Sequence, residues 1–180
     1  VWWDQVRWNR ELAEDLFGLH TRASAEAAKR ALSKANKDTA GFNQEQTLAY
    51  WDKVAKAQAI RINRATKEKL DEALDDESGS AEHVFDIAEG SRSDKMAVSL
   101  ATAALAWGVF EAGRQTGAKT KTWVVTSGNP RSAHASMNGE TVKMNEQFSN
   151  GLAWPGDGAS GDADELAGCQ CELQINYEDD

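Results

Sequence analysis

The feature that most constrains the fold is a stretch of about thirty residues, from 43 to 74, without glycine or proline. It predicts one long helix, well beyond the mean of about 11–12 residues in globular proteins. At about 100° per residue, one side of this helix is apolar. That side carries Leu48, Trp51, Ala55, Ala59, Ile62 and Ala73. We expect it to pack against other protein, in the same chain or in a neighbour.

The opposite side of the predicted helix is basic. It carries Lys53, Lys56, Arg64 and Lys67. In one interpretation this is the solvated face of a core helix. In the other, the basic stripe binds the phosphates of DNA or an acidic partner surface. The sequence leaves both interpretations open.

The net charge of −9 is unevenly distributed. Up to and including Lys143, 20 basic and 20 acidic residues cancel, and the rest of the chain has nine acids and no lysine or arginine. We expect this acidic C-terminal fifth to repel nucleic acid, whereas the preceding part need not. No apolar run reaches the roughly 18 residues of a membrane span, so we expect no membrane association.

Other helices are predicted on both sides of the long one. The N-terminal residues have apolar side chains near helical spacing, and Gly18 predicts the end of this first helix. A second, alanine-rich helix follows, with Ser24 as its N-cap. A further helix is predicted from about Ser91 to Gln115, ending at Gly117.

The C-terminal third changes to strand patterns. Residues 119–126 are rich in β-branched side chains, an Asn-Gly turn at 138–139 leads into a second short strand, and 169–177 alternates as a third. The predicted fold class is α+β: a helical N-terminal body with long helices, followed by a small C-terminal α+β unit with a short antiparallel sheet.

Composition predicts three regions. They are a helical region at 1–77, a connecting segment and central helix at 78–118, and the C-terminal α+β unit at 119–180. We expect the core of that unit to consist of alternating apolar residues. These are Trp123, Val125, Val142, Phe148, Leu152, Leu173 and Ile175.

The two cysteines of the chain, Cys169 and Cys171, are separated by one residue. On a strand, residues i and i+2 point the same way, so both sulfurs can face one point, whereas a disulfide between them would be strained. His134 as a third ligand and an acid such as Asp157 as a fourth would form a reasonable zinc site. In the alternative interpretation, the cysteines are small buried residues and His134 hydrogen-bonds the long loop.

The order of residues after Lys121 resembles the Mu F-like minor head proteins of tailed phages, also called head morphogenesis proteins. The resemblance covers roughly Val84 to Leu173, and the N-terminal helices fit it only by being helical. It rests on Trp123, Asn129, Arg131, His134, Gly139, Phe148, the Pro-Gly-Asp stretch from Pro155, Cys169 and Cys171. Two features depart from the family pattern: "IAEGSRSD" replaces an Arg-Thr-Glu-like triplet, and Gly-Cys-Gln-Cys replaces Asn-Cys-Arg-Cys.

The resemblance implies a structural protein and not an enzyme. It implies portal, capsid or scaffold proteins as partners, several copies in an assembly, packaged DNA nearby, and a location in the head interior or at the portal vertex after assembly in the host cytoplasm. The absence of an initial methionine suits either the Mu F-like portion of a portal fusion or a chain cut during maturation. We expect no cofactor apart from the zinc considered above.

The other motif residues have structural interpretations. Gly139 permits a positive φ in its turn, and Arg131 anchors a loop. Trp123 and Phe148 are core residues, and Pro155 shapes the loop around it.

Two other functions compete with a head protein. In the first, His134 and the acids Asp157, Asp162, Asp164 and Glu165 hold a divalent metal and hydrolyse nucleic acid. These acids lack a fixed helical spacing, and the chain has no glycine-rich phosphate loop and no His-Glu-X-X-His pattern. In the second, the basic stripe makes the chain a DNA-binding module.

Overall fold

The computed structural model describes residues 2–158 and 163–178. Its elements follow in the order α1 (Gln5–Lys34), α2 (Glu45–Asp75), α3 (Ala81–Ile87), a π-helical segment (Ala88–Arg92), α4 (Ser93–Thr116), β1 (Thr120–Val125), α5 (Ser132–Ser136), β2 (Thr141–Lys143), α6 (Ala163–Leu166) and β3 (Cys171–Asn176). Long helices form the N-terminal body and the strands form a small antiparallel sheet near the C-terminus. This confirms the predicted α+β class.

The helix α1 is the centre of the helical body, because it packs against both α2 and α4. Ala13 and Leu16 of α1 form one apolar cluster with Ala55 and Ala59 of α2. Alanine at these contacts lets the helices approach closely, since the distance between helix axes depends on the side chains between them. A second cluster joins α1 to α4 through Ala28, Leu32 and Ala112.

The helix α1 continues through both residues that predicted its boundaries. A Cβ at Gly18 would contact only the guanidinium of Arg22, at 3.4 Å, so nothing there requires glycine. Ser24 is not an N-cap. It is buried in mid-helix, where its hydroxyl donates to the Ala104 carbonyl at 2.8 Å and accepts from the Trp51 indole N–H at 2.8 Å. Both predictions were wrong because packing outweighs the weak local preferences of glycine and serine.

The close approach of α1 and α4 predicts opposite changes in stability for alanine substitutions at Gly108 and Gly18. A Cβ at Gly108 of α4 would lie 2.1 Å from the carbonyl oxygen of Ser24. We therefore expect Gly108→Ala to destabilise the fold by at least roughly 1–3 kcal/mol through overpacking. The matched change Gly18→Ala should stabilise it by about 0.5–1 kcal/mol, because a helix interior favours alanine. Urea unfolding measures both, and equal effects would contradict the close crossing.

The apolar side of α2 packs inside this chain. Trp51, Ala55 and Ala59 are fully buried, and Ile62 is packed against the α1–α2 cluster. Leu48, in the first turn of α2, is 42% exposed, which corrects its prediction as part of the packed side. Packing within the chain therefore covers this helix face from the second turn onward.

The predicted boundary between the first two regions, at residues 77 and 78, lies in the segment between the end of α2 and the start of α3. From α3 onward, helix continues to Thr116 with a kink at Gly90, where φ is −92° and ψ is −107°. Gly117 has a φ of 77° and is the predicted C-terminal glycine cap. The segment Ala81–Thr116 is long and apolar enough to cross a membrane by length and composition alone. Half of its most apolar window is buried in the protein, and an ordinary core helix passes the same test. The expected lack of membrane association stays a prediction.

The central strand of the sheet is β1, with β2 and β3 antiparallel on its two sides. Trp123 lies opposite Leu173 and Val125 lies opposite Cys171. These residues share the face that is turned to the core, because alternate strand residues point to opposite faces. The predicted core residues are buried or partly buried here: Trp123, Val125, Val142, Phe148, Leu152, Leu173 and Ile175.

One apolar cluster joins the helical body to the C-terminal unit. It contains Trp51 of α2, Trp107 of α4, Trp123 of β1 and Trp154 of the following loop. Tyr50 stacks on Trp107 with ring centroids 3.9 Å apart. The C-terminal unit therefore differs in secondary structure from the two helical regions before it but shares one core with them.

A buried cation lies at the junction of the two parts. Lys121 is 0% exposed, its Nζ donates to the Met144 carbonyl at 3.2 Å, and it lies 4.9 Å from the ring centroid of Phe110. Burial lowers the pKa of Lys121 to about 8, although the negative charges of Asp157 and Glu146 oppose this shift.

This buried lysine predicts a pH-dependent stability. The unfolded lysine has a pKa of about 10.4, above the folded value of about 8. Between these values the unfolded state binds more protons, so the folded state gains stability as pH rises. From pH 7 to pH 10, we expect wild type to gain roughly 1–3 kcal/mol relative to Lys121→Met. Urea unfolding at both pH values measures this, and a constant difference would show that Lys121 titrates like an exposed lysine.

Candidate metal centre

Three side chains from distant parts of the sequence meet at one point. His134 lies on α5, Cys171 begins β3, and Cys169 precedes this strand by two residues. Nδ1 of His134 is 3.7 Å from Sγ of Cys169 and 3.6 Å from Sγ of Cys171. All three are buried and both cysteines are free thiols. The structure thus brings together the three predicted ligands, although Cys169 lies outside the strand predicted for it.

The distances within this cluster fit a tetrahedral zinc ion. With Zn–S bonds of about 2.3 Å and Zn–N bonds of about 2.0–2.1 Å, sulfur and nitrogen ligands lie about 3.5–3.6 Å apart. The ligand atoms of the cluster all lie within 4.8 Å of one another. Because thiolate and imidazole are ligands that zinc prefers, these residues fit zinc and supply three of its ligands.

The second ring nitrogen of His134 has a carboxylate partner. Its Nε2 is 2.9 Å from Oε2 of Glu165. We assign the hydrogen to Nε2, which donates to Glu165 and leaves the Nδ1 lone pair directed at the sulfurs. A carboxylate commonly fixes the tautomer and orientation of a metal-binding histidine in this way. The sequence associated Glu165 with a hydrolytic metal site, but the structure places it behind the histidine.

This contact gives a prediction about metal affinity. We expect Glu165→Ala to lower zinc affinity by about 10–100-fold, because the ring loses the group that orients it. Competition with a chromophoric chelator measures the affinity. The matched control is Glu172→Ala, an exposed glutamate on β3. An unchanged affinity in Glu165→Ala would show that the carboxylate does not support the centre.

The two cysteine sulfurs share a hydrogen bond that shifts their pKa values in opposite directions. The hydrogen bond from Cys171 lowers the pKa of Cys169 despite burial, and the backbone N–H of Cys171 acts in the same direction. The same hydrogen bond raises the pKa of Cys171, as do burial and the negative charge of Cys169. A bound metal ion would displace the thiol protons, because thiolates and not thiols are the ligands.

The indole of Trp123 forms the inner wall of the cluster. Its ring centroid is 5.3 Å from that of His134 and 5.2 Å from that of Phe148, both nearly edge-on. Its N–H has no hydrogen-bond partner of normal geometry among the described residues, yet it opposes the rise in the pKa of Cys171. A donor near the sulfur has this effect because it stabilises a thiolate.

The helix α4 fastens the Cys-X-Cys segment through its backbone. The Thr102 hydroxyl donates to the Cys169 carbonyl at 2.6 Å, and the Ser99 hydroxyl accepts from the Gly168 N–H at 2.7 Å. Gly168 has a φ of 68°, a left-handed conformation that glycine and asparagine adopt most readily. Glycine therefore suits this position. Ser99 and Thr102 were not predicted as supports of the cysteines, because their only signal in the sequence is their spacing on one helix face.

A small cleft of about 170 Å³ opens over the sulfur atoms. Asn129 and Arg131 line it together with the ligands. Arg131 donates to the carbonyl oxygens of Glu165 and Ala167, as expected of a loop anchor, and its charge favours the thiolate of Cys171. A fourth metal ligand would reach the centre through this cleft.

The remaining motif residues shape the chain around the centre. Gly139 has the predicted positive φ, 86°, and its N–H donates to the Trp123 carbonyl at 2.9 Å. Pro155 is fully buried. The next residue, Gly156, has a φ of 84°, and a Cβ there would lie 2.7 Å from Cα of Ala103. The Pro-Gly pair therefore lets the loop contact α4 directly.

Asp157 is not the fourth ligand that the sequence predicted. Its carboxylate accepts from the backbone N–H of Ala153 at 3.2 Å and acts on the pKa of Lys121. It does not belong to the group of gathered ligand atoms, because its loop packs toward the helical body. Asp162 and the side chain of Asp164 lie outside the described part of the chain.

The basic stripe of α2 is partly neutralised. It consists of the exposed Lys53, Lys56 and Arg64 and the half-buried Lys67. Lys56 lies 2.8 Å from a carboxylate oxygen of Asp52, and Lys67 pairs with Asp71. Pairs spaced by four residues stabilise a surface helix by about 0.2–0.5 kcal/mol. They also reduce the charge available to phosphates.

A centre with three protein ligands and an accessible fourth position has two chemical uses. With a fourth protein ligand, the centre would be a structural zinc site. With a water molecule in the fourth position, it would have the ligand set of a catalytic zinc site. No second cluster of three potential metal ligands occurs among residues 2–158 and 163–178.

Comparisons of the chain with protein-family models, with curated proteins and with solved structures found no match. Function is therefore inferred from the motif and from the geometry of the metal centre.

Proposed function

We propose that this protein is a minor structural protein of a tailed-phage head, with a role like that of the Mu F-like head morphogenesis proteins. A zinc ion bound by His134, Cys169 and Cys171 stabilises its C-terminal unit. Its partners are portal, capsid or scaffold proteins and packaged DNA, in the head interior or at the portal vertex.

The observation that supports the proposal most is the convergence of the motif residues. The tryptophan, histidine and phenylalanine of the motif form one edge-on ring cluster. The two cysteines face the histidine, and the arginine anchors the segment that precedes them. A motif whose members build one small structural centre suits a protein that acts by folding and assembling.

The surroundings of the centre favour a structural role for the metal. The carboxylate of Asp157 accepts from the backbone N–H of Ala153. Among the described residues, the carboxylate of Glu165 contacts the ring nitrogen of His134 that faces away from the sulfurs. The cleft of about 170 Å³ is below the roughly 300–1,000 Å³ of ordinary ligand pockets. These features leave little room for a nucleic-acid substrate at the metal.

The proposal is tested by locating the protein in phage particles. A lysate of a strain that produces this protein is fractionated on a density gradient, and the protein is quantified by mass spectrometry. We expect it in assembled heads at a small, fixed ratio to the major capsid protein. His134→Ala should lower its incorporation, whereas the matched control His83→Ala, an exposed histidine, should not. Recovery only in the free-protein fraction would overturn the proposal.

A nuclease assay tests the competing enzyme. Purified protein is incubated with double- and single-stranded DNA in the presence of magnesium, manganese or zinc. We expect no cleavage above that of a His134→Ala preparation. Steady cleavage that disappears in His134→Ala and persists in His83→Ala would replace the structural function by metal-dependent hydrolysis.

A further inference from the structure

The sheet has an unpaired edge at β3. Within the described residues this strand pairs with β1 alone, so its other edge carries backbone N–H and C=O groups without a strand partner. Such an edge is a template for another extended chain. At about 3.3 Å per residue, the six residues Cys171–Asn176 offer an edge of about 20 Å.

This edge forms one wall of a long groove of about 1080 Å³. The opposite wall is the C-terminal half of α1, and the floor is one face of α4. The floor is apolar, with Val98, Ala101, Leu105 and Val109 at helical spacing. Leu105 is 47% exposed. The groove is therefore shaped for an extended chain lying along β3, with alternate side chains directed at α4.

The two walls of the groove carry opposite charges. Glu172 and Glu178 are exposed on the strand side, and Arg30 and Lys34 are exposed on the α1 side. No ion pair within the described part of the chain involves these four residues. Opposite charges on neighbouring strands stabilise a sheet, so the groove favours a segment with charges of both signs on its outward face.

We propose that this groove binds an extended segment of another protein, which adds to the sheet as a fourth strand beside β3. The segment has apolar side chains at alternate positions, which contact the floor of α4. Its outward positions include basic residues beside Glu172 and Glu178 and acidic residues beside Arg30 and Lys34. Backbone hydrogen bonds to the edge supply affinity and the alternate side chains supply specificity, as in other cases of strand addition. The groove adjoins the metal cleft, because Gln170 and Cys171 line both, but the proposed strand addition does not depend on the function of the centre.

The test uses synthetic peptides and the full chain. The probe is a fluorescent peptide of about ten residues, with valine at alternate positions and lysine and glutamate at the others. One control peptide has the same composition with its valines in a block, and another has N-methylated backbone amides on one edge. Anisotropy should show saturable binding of the probe, with at least about tenfold weaker binding of each control.

Variants of the protein locate the binding site. Leu105→Glu should weaken binding of the probe at least about tenfold, and Glu172→Lys should weaken it less. Leu19→Glu is the matched control, because Leu19 is 56% exposed on α1 and is not part of the groove. Equal binding to wild type and Leu105→Glu, or to alternating and block peptides, would overturn the proposal. Concentration-dependent dimers that Leu105→Glu abolishes, without binding of the probe, would also overturn it and assign the groove to a second copy.

Discussion

Purified under reducing conditions, the protein should contain close to one equivalent of zinc, and His134→Ala and Cys171→Ser should contain almost none. The physical reason is that two cysteine sulfurs and one imidazole are already gathered at the separations of a zinc coordination shell. His83 offers a matched control, because it is exposed and lies outside the cluster. Elemental analysis by mass spectrometry measures the metal content.

Zinc should also stabilise the fold strongly. The cluster ties α5 to the start of β3, and structural zinc in small peptides contributes about 10–16 kcal/mol of apparent binding free energy at pH 7. A strong chelator should therefore lower the melting temperature of wild type by many degrees and leave that of His134→Ala unchanged. A metal-free wild type with the same melting temperature as a zinc-loaded sample would eliminate the centre and favour two small buried cysteines.

The second large effect concerns the tryptophan behind the centre. Trp123 is 0% exposed and lies between His134, Phe148 and Leu173. We expect Trp123→Ala to lower the free energy of unfolding by about 3–5 kcal/mol, through lost burial and the cavity left behind. Urea unfolding monitored by circular dichroism measures this in the presence of zinc.

A control substitution at an exposed tryptophan separates the effect of lost packing at Trp123 from a general effect of removing a tryptophan. Trp8 is 41% exposed on α1, so Trp8→Ala should cost less than about 1 kcal/mol. Trp123→Phe retains a ring and should fall between the two. A near-neutral Trp123→Ala would mean that the register of β1 against β3 is wrong.

Long periodic elements could be predicted from the sequence because their signals are local. The stretch without glycine or proline became α2, and the glycine after α4 ended that helix in a left-handed conformation. Gly18 and Ser24 were wrongly predicted as helix boundaries because the signal that decides their structure is not local. Their environment is set by Trp51 and Ala104, and no local pattern shows that a serine hydroxyl will be used by residues 27 and 80 positions away.

The sequence predicted the three ligands of the metal centre but not the residues that hold these ligands in place. The chain has only two cysteines, and among its three histidines the family resemblance pointed to His134. The fourth position depends on the path of the loop between β2 and β3, which has no periodicity. For that reason Asp157 was assigned to the metal although it lies elsewhere, and Glu165 was assigned to hydrolysis although it contacts the far side of His134.

The position of Ser24 has a consequence for how the chain folds. Its hydroxyl joins α1 to a carbonyl 80 residues further along the sequence, with all of α2 in between. Helical proteins usually fold fast because their contacts are local, and closing a long loop first adds an entropic barrier. During synthesis, α1 and α2 emerge before the helix that covers them. We expect the contacts around Ser24 to form only after α4 has left the exit tunnel, because the Ala104 carbonyl that Ser24 contacts lies on that helix.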